Sequence, residues 1–197
     1  MTHALYPVPQ HLKSALLLKL LKQTDTDSVL IFTRTKHRAD KLARQIAHAG
    51  HCVTSLHSNR TQGQREQALH GFKTGHFRIM VATDIAARGL DIESISHVIN
   101  FDMPDTADAY IHRIGRTGRA QRTGDAFTLV TAEDKDMIRS LERIMGGPIK
   151  RETLPDFDYT TAAPPRHAHA MHEQRRPPRP APTPKSYTRN RLAPRRR

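Results

Sequence analysis

Ser28-Val29-Leu30-Ile31-Phe32-Thr33-Arg34-Thr35-Lys36 is the stretch that decides the fold. Val29 to Phe32 is a short, unbroken apolar run, the mark of a strand buried on both faces. A polar cluster follows at once. Residues 36–48 then read as a helix ending at Gly50. The same alternation continues outward. Residues 52–56, 78–82, 97–101 and 125–130 read as strands. Residues 64–72 (ending near Gly75), 106–113 (capped by Asp105 or Thr106) and 132–145 read as helices. Upstream, residues 10–23 form an amphipathic helix with Leu12, Leu16 and Leu20 on the core face and Lys13, Lys19 and Lys22 elsewhere. Strands alternating with helices predict an α/β fold, a parallel sheet flanked by helices. Such sheets bind ligands beyond the carboxyl ends of their strands. There the sequence places Thr33-Arg34-Thr35-Lys36, His57-Ser58-Asn59-Arg60, Thr83-Asp84 and Asp102. These four polar loops predict a nucleotide or nucleic-acid surface along one sheet edge.

Charge supports that reading. The chain of 197 residues carries a net +13. Residues 160–197 hold 10 Lys and Arg against one acid, Glu173, whereas residues 1–159 hold 22 bases against 18 acids. Eight of the 13 prolines also fall in 160–197. That composition predicts a disordered basic tail, since little apolar surface offsets the entropy of ordering. Polyanions are the natural partners of both parts, RNA or DNA before membrane. Cys52 is the sole cysteine, so an internal disulfide is excluded. The apolar run Ala15 to Leu18 falls far short of a bilayer span, and no signal-peptide pattern is present. A cytoplasmic location is expected.

Two further segments carry phosphate chemistry. One is Val81-Ala82-Thr83-Asp84-Ile85-Ala86-Ala87-Arg88-Gly89-Leu90-Asp91; the other is His112-Arg113-Ile114-Gly115-Arg116-Thr117-Gly118-Arg119. Arg116 and Arg119 each follow a glycine and lie three residues apart, so two guanidinium forks can reach one anion. Such arginines stabilise charge on a transferred phosphoryl group. A G-x-x-x-x-G-K-[ST] phosphate loop does not occur in the sequence.

On these motifs the chain resembles the C-terminal RecA-like lobe of DEAD-box ATP-dependent RNA helicases. Val29 to Lys36 is similar to motif IV, Gln62-Gly63-Gln64-Arg65 to the Q-x-x-R element, Ala82 to Asp91 to motif V, and His112 to Arg119 to motif VI. Phe32 to His37, with the basic tail, most resembles the bacterial RhlE type. The resemblance implies arginine-finger roles for Arg116 and Arg119. It implies ATP-site and interlobe-coupling roles for Gly89, Asp91, His112, Arg113 and Gly115. It implies backbone contacts to single-stranded RNA from Thr35, Gln62, Arg65, Thr83, Asp84 and Arg88. Hydroxyls and arginines on phosphates read no bases, so that binding is expected to be sequence-independent and salt-sensitive. One departure is local: Ser58-Asn59 stands where the family has Gly-Asp or Gly-Asn.

The expected organisation is an interlobe linker remnant over 1–9, the RecA-like domain over 10–157 and the basic tail over 158–197. ATP is the expected cofactor, with Mg2+ bound through an N-terminal RecA-like lobe that this sequence does not contain. That lobe and RNA are the expected partners, without membrane. Alone, the chain is expected not to hydrolyse ATP. The alternative is a standalone RNA-binding or annealing module, and a related DNA-helicase lobe is a weaker third reading. Thr83-Asp84, taken alone, would read as a helix cap, and Gln62 and Arg65 as a solvated face. His167, His169 and His172 have loose metal-like spacing, but they lie in an arginine-rich segment predicted to be disordered and without cysteine, and no metal site is expected.

Overall fold

The computed structural model describes residues 2–24, 27–87, 95–117 and 124–163. Among these, seven parallel strands form one sheet in the order β3-β4-β2-β5-β6-β1-β7. The strands are β1 (Thr2–Pro7), β2 (Val29–Phe32), β3 (Val53–Leu56), β4 (Ile79–Ala82), β5 (His97–Asn100), β6 (Asp125–Val130) and β7 (Lys150–Arg151). The helices are α1 (Lys13–Gln23), α2 (Lys36–His48), α3 (Gln62–Lys73), α4 (Asp84–Ala87), α5 (Ala107–Ile114) and α6 (Lys135–Ile144). This is the RecA-like α/β arrangement that the sequence predicts.

Alternation along the strands explains why both faces are covered. Val29 and Ile31 of β2 join Ile79, Val81 and Ile99 under Leu16, Leu20, Leu42 and Ile46 of α1 and α2. Leu30 and Phe32 point the other way, with Met80, Ala82 and Val98 against Ala68 and Phe72 of α3. A third cluster packs Leu5, Ala126 and Val130 against Tyr110, Ile114, Ile138 and Leu141 of α5 and α6.

Local chemistry sets the helix starts. Thr35 Oγ1 accepts from Arg38 N at 3.2 Å to cap α2, and Thr106 Oγ1 accepts from Ala109 N at 3.2 Å to cap α5. Thr61 and Gln64 form a reciprocal capping box on α3, starting it earlier than the apolar pattern indicates. Beyond α2, Gly50 takes φ +91°, a left-handed conformation that favours glycine.

Three expectations are corrected. Residues 1–9 are not simply a linker: Thr2–Pro7 pairs with β6 along its whole length, and Ala4, Leu5 and Tyr6 are buried. At the other end, packed chain continues past 157. Phe157 and Tyr159 lie on the α1-side core edge to face at 4.9 Å, and Leu154 N donates to Tyr159 Oη at 2.9 Å. Lys13 does not sit outside the core face. It is 3% exposed, its Nζ donates to Phe101 O at 3.1 Å, and burial pushes its pKa down against the pull of Asp102.

Because β1 is an interior strand, Leu5→Ala is expected to cost about 2–5 kcal/mol, read from the urea midpoint. A second expectation concerns pH. Burial holds His3 and His97 below the ordinary histidine value, with Asp125 opposing at His97. The fold therefore favours their neutral forms. That contribution is complete above about pH 6.5 and is lost as pH falls below it. The urea midpoint is expected to drop from pH ~7.5 to ~5.5. The variant carrying His3→Gln and His97→Gln should show a smaller drop.

Candidate nucleic-acid and nucleotide site

The register aligns Leu56 with Ala82, Ala82 with Phe32, and Phe32 with Asn100. The four polar loops therefore leave the sheet at one edge, as the sequence predicts. What the sequence does not reveal is how they are tied together.

The tie is Arg113. On α5, Tyr110, Arg113 and Ile114 share the buried face, and the Arg113 side chain is 3% exposed. Its Nε and Nη2 donate to the two carboxylate oxygens of Asp84, each at 2.6 Å. Its Nη1 donates to Asn100 Oδ1 at 3.1 Å and to Asp102 O at 2.8 Å. Its guanidinium lies over the Phe32 ring, 4.9 Å from the centroid. Four of the five N–H donors are thereby used, and the ends of β2, β4 and β5 are fixed to α5. Asn100 is oriented in turn, since its Nδ2 donates to Thr128 Oγ1 at 3.1 Å.

Beside this network lies a cleft of about 290 Å³ lined by Phe32, Asp84, Ala87, Ala109, His112, Arg113 and Arg116. His112 is exposed and Arg116 half-buried at its wall. Gly115 follows α5 with φ −65°, and a Cβ there would lie 3.1 Å from Ile111 O. Arg88, Gly89, Asp91 and Arg119 lie outside the described residues. So do His167, His169, His172 and the tail from 164 onward.

The remaining predicted residues spread along the same edge. Thr35 is exposed; its oxygen caps α2, which leaves its hydroxyl hydrogen to donate outward. Thr83 is half-buried and opens α4, its carbonyl accepting from Ala86 N and Ala87 N. Gln62 and Arg65 lie on the first turn of α3. Gln62 Nε2 donates to Glu66 Oε1 at 2.8 Å, and Arg65 makes no ion pair among the described residues.

Two acidic centres escape the sequence reading as clamps. Asp102 accepts from Arg38 Nη1 at 2.5 Å and from Arg34 N at 2.9 Å, holding the α2 start against β5. Asp40 Oδ1 accepts from Ser55 Oγ at 2.9 Å, His57 Nε2 at 2.9 Å and Arg60 Nη2 at 3.0 Å. Asn59 N donates to His57 Nδ1 at 3.3 Å, which leaves the imidazole proton on Nε2, directed at Asp40. Burial pushes the Asp40 pKa up, but the His57 and Ser55 hydrogen bonds outweigh it, and the carboxyl ends below its ordinary range. Lys36 Nζ donates to Asn59 Oδ1 at 2.9 Å, joining the loops after β2 and β3. The sequence signals for these clamps are slight, since Asp40 is an acid within a basic helix and Asp102 an acid just past a strand; their partners are set by the fold.

The family profile described as the helicase conserved C-terminal domain matches residues 12–121. The chain is 47% identical over 153 residues to the RNA helicase CrhR of Synechocystis sp., covering 77% of this chain and 31% of that protein. It spans about three tenths of the length of the curated relatives it matches. Among solved structures it is similar to the Escherichia coli DEAD-box protein SrmB bound to RraA. The TM-score is 0.76 and the identity 39%, over 83% of this chain and 98% of that one. It is also similar to Saccharomyces cerevisiae Dbp5 bound to RNA and ADP BeF3, with a TM-score of 0.70 and 30% identity over 77% of this chain and 41% of that one.

Removing the Arg113 fork leaves Asp84 and the Asp102 carbonyl without their donor. Arg113→Met is expected to lower stability by about 3–5 kcal/mol in urea unfolding. Arg113→Lys keeps the charge but not the fork and should recover only part of that loss.

Proposed function

Since the chain belongs to the helicase conserved C-terminal domain family, as a C-terminal lobe of the DEAD-box type, we propose that it supplies half of an ATP-dependent RNA helicase. The observation that carries this reading is the cleft that sets His112 and Arg116 beside Asp84 at the edge where Thr35, Arg65 and Thr83 also lie. An arginine and a histidine at a cleft wall suit the phosphate end of ATP. Arg116, with Arg119 three residues on, would offer guanidinium donors to the terminal phosphate. ATP supplies a phosphoanhydride bond whose cleavage the complete enzyme would use to open and close its two lobes. His112 and Gly115 would shape the approach to the partner lobe, and Asp91 would sit at the ribose. Arg113 holds motif VI onto Asp84 of motif V, so it acts by positioning. The Mg2+ ligands and the residue orienting the attacking water belong, in this reading, to an N-terminal lobe.

Thr35, Gln62, Arg65, Thr83, Asp84 and Arg88 would line the path of a single RNA strand. Binding there would be largely independent of base identity. The similar Dbp5 structure holds both RNA and ADP BeF3, which supports a reading in which a lobe of this type serves both ligands. Assignment to the bacterial RhlE type and to the cytoplasm belongs to the same proposal; no helix among the described residues is long and apolar enough to cross a membrane. A second reading, a standalone RNA binder, draws on the concentration of 10 bases against one acid in 160–197.

The test is RNA-stimulated ATPase, measured for the chain alone and with an added DEAD-box N-terminal lobe. Activity is expected only on addition, and Arg116→Ala should lower it by about 10³-fold. Steady turnover by the chain alone would overturn the half-enzyme reading. Absence of activity in both settings, with salt-sensitive RNA binding, would favour the binding module.

A further inference from the structure

We infer that the outward face of α2 is a second RNA-phosphate surface, which extends the strand path beyond the sheet edge. This rests on the RNA reading above and adds to it a place that none of the motifs covers. His37, Lys41, Arg44 and His48 are all exposed and recur at i, i+4, i+7 and i+11, so they form one stripe. The stripe runs about 16 Å along the helix axis. It starts two residues past Thr35, the α2 cap at the sheet edge, so it begins beside the proposed track.

Charge on this face is uncompensated. The one acid in α2 is Asp40, whose Oδ1 is taken by Ser55, His57 and Arg60. Among the cations of α2, Arg38 is consumed by Asp102 and Lys36 is bonded to Asn59. Lys41 and Arg44 have no ion pair or side-chain hydrogen bond among the described residues. Arg44 also stands at a groove of about 390 Å³ between α2 and the edge strand β3. Thr54, Ser55 and the Asp40–Arg60 pair line its far side, with Ala43 and Ala47 along α2. Among the described residues β3 pairs only with β4, so nothing in the sheet covers that side. The cations of the stripe, Lys41 and Arg44, beside hydroxyls and no base-reading side chain, suit a sugar–phosphate backbone.

The test uses the full chain carrying Lys41→Glu and Arg44→Glu. Binding is measured against salt for fluorescein-labelled oligouridylates of ~6 and ~20 nucleotides, the shorter matched to the sheet edge alone. Affinity for the longer RNA is expected to fall about tenfold, and its log–log salt slope to shrink by about 1.4, or 0.7 per lost phosphate contact. The shorter RNA should bind as before. Lys22→Glu with Arg143→Glu makes the same charge change off the stripe and should leave both lengths unaffected. Equal weakening of both lengths, or an unchanged slope with the longer one, would overturn the inference. The latter is also the outcome if α2 instead serves an acidic protein. Should the unmodified chain bind neither RNA, the RNA reading itself falls, and the inference with it.

Discussion

A guanidinium buried to 3% exposure has to be almost fully hydrogen-bonded, and the Arg113 environment follows from that demand. The carboxylate of Asp84 neutralises it through two parallel bonds, while Asn100 and the Asp102 carbonyl take a third nitrogen. Phe32 covers its face. These partners come from the ends of three neighbouring strands, so one side chain fixes the relative positions of the motif IV, V and VI segments. His112 precedes it on α5 and Arg116 follows just past the helix end, and both inherit that placement. A cleft that depended on independent loops would have no such rigidity.

Three acids of the lobe serve as clamps. Asp84, Asp102 and Asp40 each face inward onto an arginine, and Asp40 also holds His57 and Ser55. Negative charge is spent on internal clamps that hold the loops in place. Cations such as Arg65, Lys41 and Arg44 are left without such partners among the described residues. These cations stand at the sheet edge and the α2 flank, the surfaces proposed above to meet RNA phosphates.

Much of the fold was legible because β2 and β4 are unbroken apolar runs, the strands alternate with helices, and the helices carry 3.6-residue periodicity. Two strands were not. Thr2-His3-Ala4-Leu5-Tyr6-Pro7 is a mixed hexamer ending in proline, and its partner is β6, at the far end of the domain. Lys150–Arg151 is a charged pair that becomes a strand only against β1. Lys13 looked like a solvated face because periodicity cannot foresee a carbonyl waiting at Phe101.

The sequence alone determined the α/β class, the order of the main elements, the shared edge of polar loops and the resemblance of His112 to Arg119 to a helicase motif, because these are local properties of pattern and motif. Tertiary structure alone decided that Arg113 turns inward to Asp84, that Asp40 and Asp102 serve as clamps, and that β1 lies inside the sheet. Each of those depends on groups brought together from distant positions, and burial fixes their partners only once the chain has folded around them.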